Sequence, residues 1–323
     1  MTRRALTVIC AALALLPVPT AAASAPRRAH PVVGIGDQQP DMFTSRRWRQ
    51  LGVHDARYIA PWDVLEDPWQ SFLLDQWLRA AGRAHVRAVV GFQHSVRTLR
   101  LAHSLPSWRE FRREFRKFHE KYPFVRNFIA WNEANNPGSL TAKRPHRAAQ
   151  YFDVIAWNCR KCNVVAADVL DGRNMVPWVR RFRRSAHVRP KIWGIHNYTD
   201  ANRLTSRGTR ALLAATRGQI WFTETGGVVV RRIYNRRGKV QRTIRYGTRH
   251  ASRSTRYALK LSCLSRRITR IYLYEWQPPR HPTSWDSGLL SPRGAPRSAF
   301  YGVRSWRRLS AQRSRAVVCR GAP

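Results

Sequence analysis

The sequence predicts a parallel (β/α)8 barrel, a single α/β domain that follows a short N-terminal leader. Three observations support this prediction. Short runs of β-branched and aromatic residues recur along the chain, and helix-like segments separate them. Eight such runs occur, which is the number of strands that closes this type of barrel. The chain has 323 residues, 43% of them hydrophobic, so it can bury a large core.

The predicted elements alternate between strand and helix along the chain. The predicted strands cover residues 32–37, 55–60, 86–92, 125–132, 163–168, 191–196, 219–224 and 269–275. The predicted helices cover residues 75–84, 107–121, 146–160, 175–185, 205–217 and 252–263. The rival architecture is a doubly wound open sheet, which usually carries a glycine-rich phosphate loop after an early strand. Gly34-Ile35-Gly36-Asp37 lacks the third glycine and a following helix, so the barrel is favoured.

The first 25 residues have the pattern of a secretory signal peptide. Arg3 and Arg4 form a positive start, residues 5–18 are largely apolar, and residues 20–25 are small. We therefore predict a secreted, extracellular protein whose mature domain covers residues 26–323. No later stretch approaches the roughly 20 apolar residues that a membrane span needs, so no span is expected once the signal is removed.

The mature chain contains four cysteines, an even number that suits an oxidising compartment. Four cysteines allow three pairings, among which the sequence does not choose. We expect Cys263 to pair with Cys319 and Cys159 to pair with Cys162. The Cys159-x-x-Cys162 spacing also suits half of a zinc site, but no second CxxC or spaced histidine pair completes one.

The chain is strongly basic, with 59 Lys and Arg against 18 Asp and Glu, a formal charge of +41. Such a charge favours a polyanionic partner, for example an anionic cell-wall polymer or an acidic polysaccharide bound through the basic surface. The arginines are nevertheless spread along the whole chain, so compositional drift explains them equally well. No RNA-binding signature or zinc finger occurs, so we expect no specific nucleic-acid partner.

Polar and aromatic residues follow the predicted strands at their carboxyl ends. In a barrel these ends meet on one face, where the chemistry of such folds takes place. Asp168 and Asp171, on or just after strand five, are weaker candidates for the cleft. The stronger candidates are Arg57 on strand two, Asn132 and Glu133 after strand four, His196 and Tyr198 after strand six, Glu224 at strand seven and Trp276 after strand eight.

Two carboxylates on well-separated strands suit the cleavage of a glycosidic bond. A retaining glycosidase holds them about 5–5.5 Å apart, one as acid/base and one as nucleophile. The acid must keep its proton, so its pKa is expected to be raised by burial or by a nearby negative charge. The nucleophile must stay ionised, and Arg57 and Tyr198 can stabilise it. Asn132 can form a hydrogen bond with the sugar 2-hydroxyl, and Trp276 offers a flat apolar face to a sugar ring.

The order of these residues resembles clan A of the glycoside hydrolases. The match covers nearly the whole mature chain, and it implies a (β/α)8 barrel and retaining hydrolysis of O-glycosidic bonds in a carbohydrate. It further implies Glu133 as acid/base and Glu224 as nucleophile, with no metal or organic cofactor. Many members have Asn-Glu-Pro where this chain has Asn132-Glu133-Ala134, so the individual family stays open. The resemblance rests on Trp131-Asn132-Glu133, Thr223-Glu224, Arg57, His196, Tyr198 and Trp276.

Several alternatives remain open at this stage. His196 suits a core histidine as well as a contact to substrate or nucleophile. Glu275 also stands at a strand end, and we expect it to pair with an arginine rather than to act in catalysis. The arginine-rich segment 228–247 is a candidate lid or subsite wall, but a solvent-exposed excursion, such as a β-hairpin, is preferred. The rival function is a non-catalytic barrel that binds glycans or polyanions at the cell surface.

Overall fold

The computed structural model describes residues 30–235, 237–281 and 283–323. The predicted signal peptide, residues 1–25, lies outside the described residues. No helix among the described residues is both long enough and apolar enough to cross a membrane.

Eight parallel strands close into a barrel, as predicted. A hairpin, β8 and β9, separates the seventh barrel strand from the eighth, so the barrel order is β1-β10-β7-β6-β5-β4-β3-β2. Strand β4 is shorter than predicted, which leaves Trp131 and Asn132 beyond its end. The barrel strands are β1 (Val32–Gly36), β2 (Asp55–Pro61), β3 (Arg87–Gln93), β4 (Asn127–Ile129), β5 (Asn163–Leu170), β6 (Ile192–His196), β7 (Gln219–Thr225) and β10 (Ile268–Tyr274).

All six predicted helices occur, and further helices join them. The α-helices are α1 (Arg46–Leu51), α2 (Pro68–Arg83), α3 (Leu99–Ala102), α4 (Trp108–Lys121), α5 (Pro145–Asn158), α6 (Met175–Ser185), α7 (Tyr198–Arg203), α8 (Arg207–Ala215), α9 (Gly247–Leu261), α10 (Ser298–Gln312) and α11 (Arg315–Val318). Helix α2 starts seven residues before its predicted start. Asp67 caps it by accepting hydrogen bonds from the amides of Trp69 and Gln70, and Pro68 suits the first helical position.

Helix α4 shows how the sequence produces these outer helices. Ser107 and Glu110 form a reciprocal capping box that satisfies two amides at the start of the helix. Phe111, Phe115 and Phe118 then recur at helical spacing and are buried against the barrel. Each such phenylalanine contributes roughly 2–3 kcal/mol of burial free energy, so packing rather than propensity holds the helix in place.

The core has two parts. The larger one fills the space between the strands and the outer helices. The smaller one lies inside the barrel and consists of Val89, Ile129, Val165, Ile192, Trp221 and Tyr272. Side chains alternate along a strand, so the residues two and four positions after Ile192 on β6, Gly194 and His196, share its inward direction. The barrel interior therefore changes from apolar to polar toward the carboxyl ends of the strands.

A three-stranded antiparallel sheet follows strand β7. It consists of β8 (Val230–Tyr234), β9 (Val240–Arg245) and β11 (Trp285–Asp286), in the order β11-β8-β9. The expectation of a β-hairpin in segment 228–247 is therefore confirmed. The third strand, which comes from the loop after β10, was not predicted.

Both expected disulfides form, Cys159 with Cys162 and Cys263 with Cys319. The first closes a tight loop at the end of α5. The second joins the segment after α9 to the residue that follows α11, near the end of the chain.

Candidate active site

A cavity of about 550 Å³ opens at the carboxyl ends of the barrel strands. Its lining includes almost every site residue predicted from the sequence. The residues that the argument below uses are Arg57, Asn132, Glu133, Asn136, His196, Tyr198, Glu224, Arg231, Tyr274 and Trp285.

Glu133 and Glu224 face each other across this cavity. A carboxylate oxygen of each, together with a ring nitrogen of His196, forms a group of atoms that lie within 4.8 Å of one another. The Glu224 side chain is 14% exposed and that of Glu133 is 33% exposed. This separation suits the close pair of a retaining glycosidase better than the roughly 6.5–9.5 Å of an inverting one.

Glu224 is held by two donors, as expected. The Arg57 guanidinium donates from Nη1 to Glu224 Oε2 at 2.7 Å, and the Tyr198 hydroxyl donates to Oε1 at 3.1 Å. The tip of Glu224 is thereby oriented into the cavity with an ion pair behind it. Both contacts fix the orientation of this carboxylate.

Arg57 is buried and connects the site residues. Its Nη2 donates to Asn132 Oδ1 at 2.7 Å and to Asp168 Oδ2 at 3.0 Å. Burial alone would lower the pKa of Arg57, but the charges of Glu224 and Asp168 outweigh it and raise the pKa. Because the Asn132 oxygen is occupied by Arg57, its amide nitrogen is the group left to donate to a sugar hydroxyl.

His196 lies in the middle of three carboxylates and is fully buried. Its Nε2 lies 3.1 Å from Asp168 Oδ2, and its Nδ1 lies 3.4 Å from Glu133 Oε1 and 3.9 Å from Glu224 Oε2. Burial disfavours the imidazolium, but the charges of Glu224, Asp168 and Glu133 outweigh it and raise the pKa of His196 to about 10. His196 is therefore a charged part of the site rather than a core histidine.

The expectation that the pKa of Glu133 is raised is not met in the unliganded site. Burial acts in the expected direction, but the contact with His196 and the amide of Asn136 outweigh it and lower the pKa to about 2. The Asn136 amide donates to Glu133 Oε2 at 2.7 Å. His196 lowers the pKa of Glu133 through the 3.4 Å contact of its Nδ1 with Glu133 Oε1 and through its charge. The proton of this pair thus resides on the imidazole.

The backbone around Glu133 is shaped to aim its side chain. Glu133 adopts a left-handed conformation with φ of 44°, which costs about 1 kcal/mol or more for a residue with a Cβ. The neighbouring chain compensates through hydrogen bonds, since the amide of Ala134 donates to the carbonyl of Asp168 at 2.8 Å. Asn135 is buried and exchanges hydrogen bonds with both backbone groups of Leu170. Ala134 and Asn135, which follow Glu133 where many clan members have proline, therefore provide hydrogen bonds that join the end of β4 to the end of β5.

The prediction that Trp276 forms the sugar platform is wrong in its placement. Trp276 is only 3% exposed and packs edge-on against Trp48, 5.8 Å between ring centroids, and against Phe300. Its amide donates to the buried carboxylate of Asp37, which turns the residue toward the outer core. The aromatic rings that line the cavity are instead those of Tyr274 and Trp285, together with Tyr198.

Glu275 is also placed differently from the expectation. Among the described residues no arginine lies within ion-pair distance of it, and its Oε1 accepts only a 3.4 Å hydrogen bond from the amide of Ser287. Burial, and next the charge of Asp37, raise the pKa of Glu275 to about 8. It is a buried carboxylic acid beside the site rather than part of an ion pair.

Several site residues were missed or undervalued by the sequence reasoning. Asp168 lies near the carboxyl end of β5, and this position already makes it a candidate for the site. Its importance comes from its contacts with Arg57 and His196, which only the folded structure reveals. Asn136 and Tyr274 lie within three residues of predicted positions. Trp285 and Arg231 come from the appended sheet. Arg231 lies in segment 228–247, a candidate subsite wall from the sequence, whereas no local pattern indicates that Trp285 reaches the cavity.

One group of the described site residues has the composition of a metal site, namely Glu133, His196 and Glu224. A cation bound among them would have to compete with the Arg57 guanidinium on Glu224 and with the proton on His196. A second group, His119 with Cys159 and Cys162, has both of its cysteines in a disulfide.

No family model and no curated protein matches the sequence. Among solved structures, a family 39 glycoside hydrolase from Bacteroides cellulosilyticus WH2 is 12% identical with a TM-score of 0.55, over 86% of this chain and 64% of that one. This chain thus spans less than two thirds of that protein.

Two further solved structures are matched over most of their length. A family 128 endo-β-1,3-glucanase from Amycolatopsis mediterranei, in complex with laminaripentaose, is 14% identical with a TM-score of 0.52, over 85% of this chain and 98% of that one. A β-glucosidase from Thermotoga maritima, in complex with deoxynojirimycin, is 11% identical with a TM-score of 0.55, over 84% and 87%. The fold implied by the resemblance is confirmed: the chain has the closed (β/α)8 barrel of the clan A glycoside hydrolases.

Proposed function

We propose that the protein is a retaining glycoside hydrolase that cleaves O-glycosidic bonds of an oligosaccharide or polysaccharide. The observation that carries this proposal is the pair of carboxylates, Glu133 and Glu224, whose oxygens approach within 4.8 Å in an open cavity. A protein that only binds glycans has no need of two opposed carboxylates. The solved structures named above as an endo-β-1,3-glucanase and a β-glucosidase share the fold, which supports a β-linked glucan-like substrate.

In the first step Glu224 is the nucleophile. One of its carboxylate oxygens attacks the anomeric carbon while the bond from that carbon to the leaving oxygen breaks. Glu133 donates a proton to the leaving oxygen, and a glycosyl ester of Glu224 results. Arg57 and Tyr198 hold Glu224 in position before the attack, and Asn132 can donate to the sugar 2-hydroxyl.

In the second step Glu133 acts as base. A water molecule attacks the anomeric carbon of the glycosyl ester, its proton passes to Glu133, and Glu224 leaves as a carboxylate. Two displacements on the same carbon retain the anomeric configuration. The ester carries no charge on Glu224, so the charges around Glu133 favour its ionised form, as a base requires.

The proton for the first step is held by Glu133 and His196 together. His196 Nδ1 lies 3.4 Å from Glu133 Oε1 and carries the proton in the unliganded site. When a sugar excludes water from the cavity, burial of Glu133 increases and favours transfer of this proton to its carboxylate. The pair then titrates as a unit rather than as two independent groups.

Replacing the nucleophile tests the proposal directly. In Glu224→Gln the attacking oxygen is lost while the side-chain shape is kept, so turnover of β-1,3- and β-1,4-linked gluco-oligosaccharides should fall by at least about 1,000-fold. Circular dichroism and thermal unfolding check that the fold is intact. An undiminished rate in a correctly folded variant would remove Glu224 from this role.

Replacing the acid distinguishes between leaving groups. Glu133→Ala should slow aryl glycosides with poor leaving groups far more than dinitrophenyl glycosides, because protonation is what Glu133 provides. Equal losses on both would contradict the acid role. Proton NMR of the first-formed product gives the stereochemistry, and an inverted anomer would contradict the double displacement.

We further propose that the protein acts outside the cell as a mature domain of residues 26–323. The signal pattern of residues 1–25 and the two disulfides support this location. The basic surface would then bring the enzyme to an anionic cell-wall polymer. If no oligosaccharide is cleaved and glycan binding disappears with added salt, the alternative of a non-catalytic polyanion-binding barrel gains support.

A further inference from the structure

The wall of the cavity beside Tyr198 is built by the appended sheet rather than by the barrel. Arg231 on β8 and Trp285 on β11 are direct cross-strand partners in this sheet, and both line the cavity. The Trp285 ring packs edge-on against Tyr198 at 4.9 Å between centroids, and Tyr198 donates to Glu224. Arg231 is therefore separated from the proposed nucleophile by only two side chains.

Arg231 differs from the other arginine that lines the cavity. Arg57 is committed to Glu224, Asn132 and Asp168, whereas no carboxylate among the described residues lies within ion-pair distance of the Arg231 guanidinium. Its recorded contact is with the Trp285 ring, 6.0 Å from the centroid. The side chain is exposed toward the space that a ligand would occupy. The Arg231 guanidinium thus lines the cavity without a carboxylate partner among the described residues.

The same face of the sheet carries a second arginine. Alternation along β8 places Ile233 on the face of Arg231, and Ile233 pairs with Arg242 on β9. Arg242 is thus a diagonal neighbour of Arg231, about 7–8 Å away between backbones. Residues 227–249, which include this hairpin, contain no Asp or Glu. Arg231 therefore places a positive charge in the cavity lining, which also contains the two carboxylates, while Arg242 adds positive charge to the same face of the sheet outside that lining.

The positions of Arg231 and of the two carboxylates would distinguish sugars by their charge and by where that charge lies. An anionic substituent close to Glu133 and Glu224 would be repelled, whereas one directed at Arg231 would find a planar, bidentate donor. A neutral sugar would gain nothing from the cation. We propose that Arg231, seated on Trp285, forms a subsite for a sugar bearing a carboxylate or sulfate group, so that the substrate is an anionic glycan. This inference rests on the proposed glycosidase function and names its substrate class.

The test compares matched neutral and anionic ligands. The probes are laminari- and cello-oligosaccharides in three forms: unmodified, oxidised at C6 to the uronate, and sulfated at C6. Hydrolysis gives kcat/KM for each, and calorimetric titration of the Glu224→Gln variant gives binding without turnover. The wild type should prefer one anionic form over the unmodified form by roughly 10- to 100-fold, the range that a charge-assisted hydrogen bond supplies. Whichever anionic form is preferred identifies the substituent.

The hairpin offers a matched control. Arg231→Ala should remove the preference for the anionic form, so that the ratio of kcat/KM for the anionic form to kcat/KM for the unmodified form falls to about one. Arg245→Ala removes the same charge from the opposite face, since Arg245 pairs with Val230, and should keep the preference. Added salt should weaken binding of the anionic form in the wild type more than in Arg231→Ala.

The outcomes separate the two proposals. If unmodified and anionic forms are cleaved and bound equally, or if Arg245→Ala and Arg231→Ala lose the preference equally, the subsite is wrong and the glycosidase stands. If none of the six oligosaccharides is cleaved or bound, the proposed function fails and the subsite fails with it.

Discussion

Five charged side chains meet at and beneath the bottom of the cavity, three of them acidic and two basic. Glu133, Asp168 and Glu224 surround Arg57 and His196, and each cation touches at least two of the acids. Because Arg57, Asp168 and His196 are buried, each of these three charges is stable only because of its partners. Removing one member should therefore change the protonation of the others, and this is the clearest property to measure at the scale of single residues.

Asp168→Asn tests the least expected member of this group. The substitution removes one of the anions that raise the pKa of His196, so the imidazolium should lose its proton at lower pH. The alkaline limb of the pH profile of kcat/KM should then move toward neutral pH, and kcat/KM at pH 8 should fall by roughly tenfold or more. The pH profile on an aryl β-glucoside is the measurement.

A second buried aspartate provides the control for Asp168. Asp153 is 1% exposed, and its carboxylate accepts hydrogen bonds from the amides of His187 and Val188, outside the residues that line the cavity. Asp153→Asn should lower thermal stability without moving the alkaline limb. If both variants move the limb equally, the effect of Asp168 is one of general stability and not of proton placement.

Glu275→Gln tests the buried carboxylic acid beside the site. In the unfolded chain this group ionises near pH 4.5, whereas burial raises its pKa in the folded chain to about 8. Above pH 4.5 the folded state binds more protons than the unfolded state, so this group reduces stability as the pH rises to 8. The loss approaches about 5 kcal/mol, and the glutamine should remove it.

Urea unfolding at pH 5 and at pH 9 measures the effect of Glu275→Gln. The two proteins should have similar stability at pH 5, and the variant should be the more stable one at pH 9. A variant that is equally stable, or less stable, at pH 9 would mean that Glu275 is ionised at little cost in the folded state.

At the scale of single residues, the sequence predicted which residues lie at the cavity better than it predicted their protonation and orientation. Residue types at strand ends were sufficient to find Glu133, Glu224, Arg57 and Tyr198, because barrel strands converge at one face. They were insufficient for the protonation of Glu133, since that depends on the 3.4 Å contact with His196. They misplaced Trp276, because a backbone hydrogen bond to Asp37, 239 positions away, decides which way that residue faces.

Strand β6 shows how a single element makes room for the charged group. Gly194 lies between Ile192 and His196 on the inward face, and a Cβ there would stand 2.1 Å from Asp168 Oδ1 and 2.8 Å from Thr223 Oγ1. The absence of a side chain is what allows Asp168 to reach both Arg57 and His196. The glycine is thus required by a close approach and not by its backbone angles.

Gly194→Ala should therefore displace Asp168 and damage both stability and turnover. We expect a loss of about 1–3 kcal/mol from overpacking and a fall in kcat of at least about tenfold. Gly82→Ala is the matched control, because Gly82 lies in α2 with no atom within 4 Å of the added Cβ. It should stabilise the protein by about 0.5–1 kcal/mol through helix propensity and leave kcat unchanged. An active and stable Gly194→Ala variant would show that the barrel interior beside Asp168 can accommodate the added methyl group.

Helices and strands were predictable where a periodic apolar pattern extends over many residues and where the stabilising contacts join residues close in sequence. Helix α4 has a capping box and a regular apolar face, and both are readable in the sequence. Helix α10 has the same kind of signal in Phe300, Val303 and Trp306, so its omission was avoidable. Strand β11 has only two residues and pairs with β8 more than 50 positions earlier, and no local period can indicate such a strand.

At the scale of the whole molecule, the two disulfides close loops of very different length. The cysteines are 3 positions apart in one and 56 positions apart in the other. In the chain-entropy description, the longer loop stabilises the folded state by about 4 kcal/mol and the shorter one by about 2 kcal/mol. Both lie away from the residues that line the cavity.

Replacing each pair of cysteines with serine compares the two loops within one protein. The double variant at Cys263 and Cys319 should lose more stability in urea unfolding than the double variant at Cys159 and Cys162, and kcat should be unchanged in both. A larger loss at the short loop would mean that local packing at the end of α5, rather than chain entropy, determines the effect.

The sheet that walls the cavity is assembled from two excursions of the chain, one after β7 and one after β10, and neither contributes a strand to the barrel. The proposed anionic subsite and the proposed catalytic carboxylates therefore lie on different parts of the polypeptide. A graft that exchanges both excursions together is expected to change the glycan that is bound while Glu133 and Glu224 keep their supports. A graft of only one would break the pairing of β8 with β11, although β8 would keep β9, so the two segments should be transplanted, and should diversify, as a pair.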